Sequence, residues 1–150
     1  MTNNRIILID EKRLEKLKKE LRIGTNIVEI DGKNIQTWEE YINEIRVAFK
    51  FPDSPIYYVE MNKAGYLDWM RDLQWFFQDN PQKDVCLIIM NYESFLLRDR
   101  NLKNSIVEMF VSSILPWWEE EVVYCGGGLD IRRNFSVYLT EKNYGDNWNR

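Results

Sequence analysis

Apolar positions divide this chain into segments of two kinds. Val85-Cys86-Leu87-Ile88-Ile89-Met90 is a near-continuous apolar run of strand length, the pattern of a parallel strand buried on both faces. Ile27-Val28-Glu29-Ile30 before Asp31-Gly32 reads as a strand entering a turn, and Phe135 to Leu139 alternates as a closing strand. Between them the spacing becomes helical. Thr37 with Glu40 forms a capping box ahead of Trp38, Tyr41, Ile42, Ile45 and Phe49, which predicts a buried-face helix over 38–50. Pro52 and Pro55 enforce a loop, and 56–61 reads as a short strand or an extended segment. A helix is predicted over 65–78, ending before Pro81. A short one follows at 92–97, then one over 102–115 that Pro116 breaks or kinks.

Strands separated by helices call for parallel pairing through crossovers. The expected fold is therefore α/β, with a small three-stranded parallel sheet of 27–31, 85–90 and 135–140 covered by helices. Ile6 to Ile9 is a further possible strand. Asp10 caps a helix over 11–22 with Leu14, Leu17 and Leu21 on one face, and Gly24 ends it. Residues 1–25 read as an N-terminal appendage, 26–142 as the domain proper, and 143–150 as a polar tail. Gly126-Gly127-Gly128 reads as a flexible turn rather than a phosphate cradle.

Charge and composition narrow the chemistry. The 150 residues carry a net charge of −4 with no long Lys/Arg run, so a basic footprint for nucleic acid is missing and a basic protein is the better-matched partner. No apolar stretch reaches the roughly 18 residues of a membrane span. Cys86 and Cys125 are too few for a disulfide framework, and the expected compartment is the reducing cytoplasm. The absence of His removes the commonest general base and metal ligand, and no cofactor or metal is expected. A carboxylate pair or metal site in an enzyme is the weaker reading, because 24 acidic residues form such pairs by chance.

One cluster concentrates candidate binding chemistry: Gly65-Tyr66-Leu67-Asp68-Trp69-Met70-Arg71-Asp72-Leu73, followed by Trp75. On one continuous helix, Asp68 and Asp72 share a face, which Asp79 extends. Leu67, Met70 and Leu73 would fill the other side. Carboxylates beside aromatic and Arg neighbours suit an interface for a cationic partner, although a solvated acidic face gives the same pattern.

The segment Leu67-Asp68-Trp69-Met70-Arg71-Asp72-Leu73 resembles the interaction helix of the barstar family, intracellular inhibitors of secreted bacterial ribonucleases. Ile27 to Ile35 is similar to the family's first strand and turn, and 38–50 to its first helix. Residues 84–95 are similar to its second strand and short helix, 105–110 to its last helix, and 135–139 to its last strand. The resemblance implies a barstar-like fold and a non-enzymatic inhibitor. It would bind a basic ribonuclease through Asp68, Asp72, Trp69, Arg71, Tyr66 and Trp75, with Ser112 on the last helix as a further contact. Arg71 stands where relatives carry Trp, and Ser112 where they carry an acid. The alternatives are an immunity protein against a non-ribonuclease toxin and an interaction module with no toxin partner.

Overall fold

A computed structural model describes residues 4–52, 61–125 and 132–142. Residues 56–60 of the expected strand or extended segment at 56–61, the glycine turn 126–128 and the tail 143–150 lie outside the described residues. The strands are β1 (Ile6–Asp10), β2 (Thr25–Asp31), β3 (Asp84–Met90) and β4 (Phe135–Glu141). They form one sheet in the order β1-β4-β3-β2, and every pair is parallel. The sheet thus has four strands rather than the three expected from sequence. The fourth is the N-terminal run, whose Ile6 pairs with Val137 and whose Asp10 pairs with Glu141.

Between β1 and β2 lies α1 (Leu14–Leu21), entered through a 3-10 turn in which Asp10 accepts from the Lys12 amide. Gly24 follows with a φ of 85°, a conformation that costs other residues steric strain. Between β2 and β3 come α2 (Trp38–Ala48), α3 (Lys63–Met70) and α4 (Gln74–Asp79). The expected Thr37/Glu40 box forms with one partner shifted: Thr37 accepts from the Glu40 amide at 3.1 Å, while Glu40 reaches back to the amide of Gln36, one residue before the cap, at 3.0 Å. Gly32 sits where a Cβ would lie 2.8 Å from the Asn91 and Met90 carbonyls, so any side chain would separate β2's turn from β3's.

The single helix expected over 65–78 is two helices. Leu73 turns left-handed (φ 49°, ψ 20°) between α3 and α4 because its side chain is wholly buried, and that burial offsets a backbone conformation unfavourable for Leu.

The last helical stretch runs on through Pro116, the position of the expected break or kink. Helix α5 (Arg100–Met109) passes into a π turn (Phe110–Ile114), then through Pro116 with helical dihedrals (φ −62°, ψ −33°) into a second π turn (Trp117–Glu121) and α6 (Val122–Cys125). Proline has no N–H to give the carbonyl four residues back, and the wider π turn immediately before it is the kind of insertion that accommodates this within a helix.

Odd and even strand positions face different layers. Val28, Ile30, Val85, Leu87, Ile89, Phe135, Val137 and Leu139 face the helices α2 to α6 and form the main core with Tyr41, Phe49, Tyr66, Phe95 and Phe110. Cys86 and Ile88 face the other way and pack against Leu14 of α1, with Ile9, Ile27, Met90 and Tyr138 around them. Cys86 and Cys125 are both free thiols.

Candidate protein-binding face

The acidic segment is held from beneath. Asn62 caps α3, accepting from the Gly65 amide at 2.8 Å. Tyr66 and Met70 are fully buried, with the Tyr66 hydroxyl 2.6 Å from that of Tyr41. The buried Trp118 indole donates to the Met70 carbonyl at 3.0 Å and ties the C-terminal end of α3 to the last helical stretch. Lys63 donates to Ser105 at 2.9 Å and ties the N-terminal end to α5. Burial makes the Tyr41 and Tyr66 phenols much weaker acids than usual, so both stay neutral beneath the face.

This frame corrects one expected contact residue. Tyr66 is 0% exposed, so it supports the face from inside and does not touch a partner. Its ring fills the core because it stacks edge-on against Trp38 and Tyr41.

Asp68 and Asp72 are both exposed. They do not share one helical face, however, because α3 ends at Met70 and Asp72 lies in the turn before Leu73. Asp68 is paired with Arg71 at 3.2 Å. Arg71 also donates from Nε to the Leu67 carbonyl at 3.2 Å and lies over the Trp117 ring at 5.8 Å. Asp72 accepts a 3.4 Å bond from the Gln74 amide. Trp69 and Trp75 are half-buried and pack on each other and on Phe51, with centroids 5.0–5.4 Å apart. The Trp75 indole donates to the Phe49 carbonyl at 2.9 Å, so this trio is fixed from behind. Ser112 is exposed on the π turn, which packs against α3, and its hydroxyl donates to Glu108. Ser112, the further contact expected from sequence, thus lies on a surface adjoining α3.

Beside Asp72 the surface opens into a cleft of about 460 Å³. Arg71, Asp72, Phe77, Trp117, Trp118 and Arg133 line it. Arg133 lies 3.5 Å over the Phe77 ring and donates to the Lys83 carbonyl at 2.6 Å. Sequence reasoning missed Phe77 and Arg133. The doubled Trp at 117–118 was a visible signal for the cleft wall, but Arg133 arrives from a distant part of the chain and had none. Among the described residues no group of three or more metal-ligating side chains occurs, and no helix is long and apolar enough to cross a membrane.

A family model described as Barstar (barnase inhibitor) matches residues 25–125. No curated protein matches the chain. Among solved structures, a chain of the "Structure of Drosophila ORC bound to AT-rich DNA and Cdc6" superposes with a TM-score of 0.47 and 14% identity, covering 97% of this chain. The present chain spans only 43% of that one.

Proposed function

We propose that this chain, which belongs to the barstar family, is a protein inhibitor that binds a basic ribonuclease and blocks its active site. The family match covers 25–125. The observation that carries the reading is the pair of exposed carboxylates, Asp68 and Asp72, on a segment backed by buried Tyr66, Met70 and Leu73. A ribonuclease active site presents cationic groups for phosphate. Carboxylates on a rigid support can occupy those positions and exclude RNA, and complementary charge accelerates the encounter. Function of this kind needs no turnover, cofactor or metal. The two free thiols fit a reducing compartment such as the cytoplasm.

The test is calorimetric titration of wild type and Asp72→Ala against the ribonuclease recovered from the host by pull-down. Asp72 is exposed, so the substitution leaves folding stability within about 0.5 kcal/mol. At a central hot spot it costs the complex about 2 kcal/mol or more. Added salt slows association more than it speeds dissociation. Equal affinity of the two proteins would reduce the acidic segment to a solvated surface.

A second reading is immunity against a toxin that is not a ribonuclease. It is favoured by Arg71, which pairs with Asp68 and so withdraws part of the negative charge that a ribonuclease-blocking face would offer. A recovered partner that binds through this face but does not cleave RNA would select it.

A further inference from the structure

The charge of this molecule is unevenly placed. Seven of the 20 Lys/Arg and four of the 24 Asp/Glu lie in residues 1–24, so that segment is net +3 and the remainder −7. This segment supplies the sheet's edge strand β1 and, through α1, the layer behind the sheet. There α1 crosses over β2 and β3, fixed by Leu14 against Cys86 and Ile88 and by the Lys18–Glu29 ion pair. The short helix leaves the β1–β4 side of that face open, and a groove of about 260 Å³ remains between β1 and α1.

The groove has a consistent chemistry. Ile7, Ile9 and Leu17 give it an apolar floor, and Tyr138 of β4 gives it a flat aromatic wall with a hydroxyl. Arg5 from just before β1, Arg13 from the 3-10 turn and Lys16 from α1 line it, and all three are exposed. No carboxylate pairs with any of them among the described residues. Glu20 is the one acidic residue of the lining. The site therefore offers net +2 above an apolar floor.

We infer that this groove binds a small organic phosphate, a phosphomonoester carried on a flat apolar body. The volume lies just below the usual range for ligand pockets, about 300–1,000 Å³, which suits a mononucleotide-sized molecule or smaller. A phosphomonoester carries about −1.5 to −2 at neutral pH, which matches the net charge of the lining. A bare phosphate would leave the Ile7, Ile9 and Tyr138 surface unused. The proposal does not depend on the inhibitory reading, because the groove lies behind the sheet, away from Asp68 and Asp72.

The experiment is a two-dimensional NMR titration of the full chain with three probes: phenyl phosphate, inorganic phosphate and benzyl alcohol. Phenyl phosphate is expected to shift Ile7, Ile9, Leu17 and Tyr138 resonances saturably, at concentrations about tenfold or more below those needed with inorganic phosphate or benzyl alcohol. The double variant Arg13→Gln/Lys16→Gln changes two exposed side chains and should weaken phenyl phosphate about tenfold or more, whereas Glu20→Gln should tighten it. Equal binding of phenyl phosphate and benzyl alcohol would overturn the proposal, as would unchanged affinity in the double variant. Shifts confined to the cleft around Arg133 would do the same. Tighter binding of a Glu-rich hexapeptide than of phenyl phosphate would replace it with an acidic protein segment as occupant.

Discussion

The two faces of the sheet are built from the same strands and protected on different scales. Among the described residues, 28 buried side chains form the cluster in front, against three behind, so the front carries most of the hydrophobic stabilisation. The front is aromatic and roofed by helices from α2 onward. The back is roofed by one eight-residue helix. On β3 the difference alternates residue by residue, with Leu87 and Ile89 looking into the thick layer and Cys86 and Ile88 into the thin one. A continuous apolar run shows that both faces are covered, but not how thickly.

The sharpest way to break the comparison is to truncate one residue on each side. Phe135 is wholly buried in front and touches Phe49 and Phe110. Phe135→Ala should cost about 3–5 kcal/mol, because the rigid aromatic surroundings cannot collapse into the void. Leu14→Ala behind should cost about 2 kcal/mol, since a short helix over an open groove can settle inward. Urea denaturation measures both. Equal losses would mean that the thin layer is as tightly packed as the thick one. In Leu14→Ala the Cys86 thiol should also react faster with a thiol reagent, while the exposed Cys125 is unaffected.

Alkaline pH separates the faces next. Burial pushes the Cys86 thiol up to about 12 from an ordinary 9.0, and raises Tyr41 and Tyr66 above their ordinary 10.0. In each case the folded protein keeps a proton that the unfolded chain has already lost. The stabilisation is therefore complete below pH 9 and declines as pH rises, by about 1.4 kcal/mol per pH unit for each group engaged. Lys103 works in the opposite direction, because burial lowers it. The thiol behind the sheet acts first and the phenols in front act a unit later. Cys86→Val should thus move the onset of alkaline destabilisation from about pH 9 to about pH 10, as followed by urea midpoints across that range. An unmoved onset would place the first titrating group elsewhere.

Much of this architecture was legible in the sequence. The run at 85–90, the Thr37/Glu40 box and the alternation at 135–139 each report a local rule, and each element formed where its rule placed it. The features that escaped depend on distant packing. Leu73 turns left-handed because the core takes its side chain, and no local preference of Leu signals that. Tyr66 looks like a surface aromatic beside Asp68 until Tyr41 meets its hydroxyl from another helix. Ile6 to Ile9 reads as an isolated apolar run until β4 offers it an edge. Of the candidate face, the carboxylates and Trp69 and Trp75 were visible, whereas the cleft depends on Arg133, 61 residues beyond Asp72 in the chain.

The smallest effect decides what holds the thin layer in place. Lys18 of α1 pairs with Glu29 of β2, and both side chains are about one-third exposed or less. The bond to Glu29 raises the Lys18 ammonium above its ordinary 10.5, with burial opposing. A raised lysine contributes its stability below the unfolded value and loses it as pH climbs through the folded one, so the pair is fully present at neutral pH. Partial exposure limits its worth. A double-mutant cycle of Lys18→Met and Glu29→Gln should give a coupling of about 0.5–1 kcal/mol, shrinking in 1 M salt. That is below the loss expected for Leu14→Ala, so the leucine rather than the ion pair anchors α1. A coupling above about 2 kcal/mol that survives salt would reverse the order, and the back of the sheet would then be held by a charge pair where the front is held by aromatic packing.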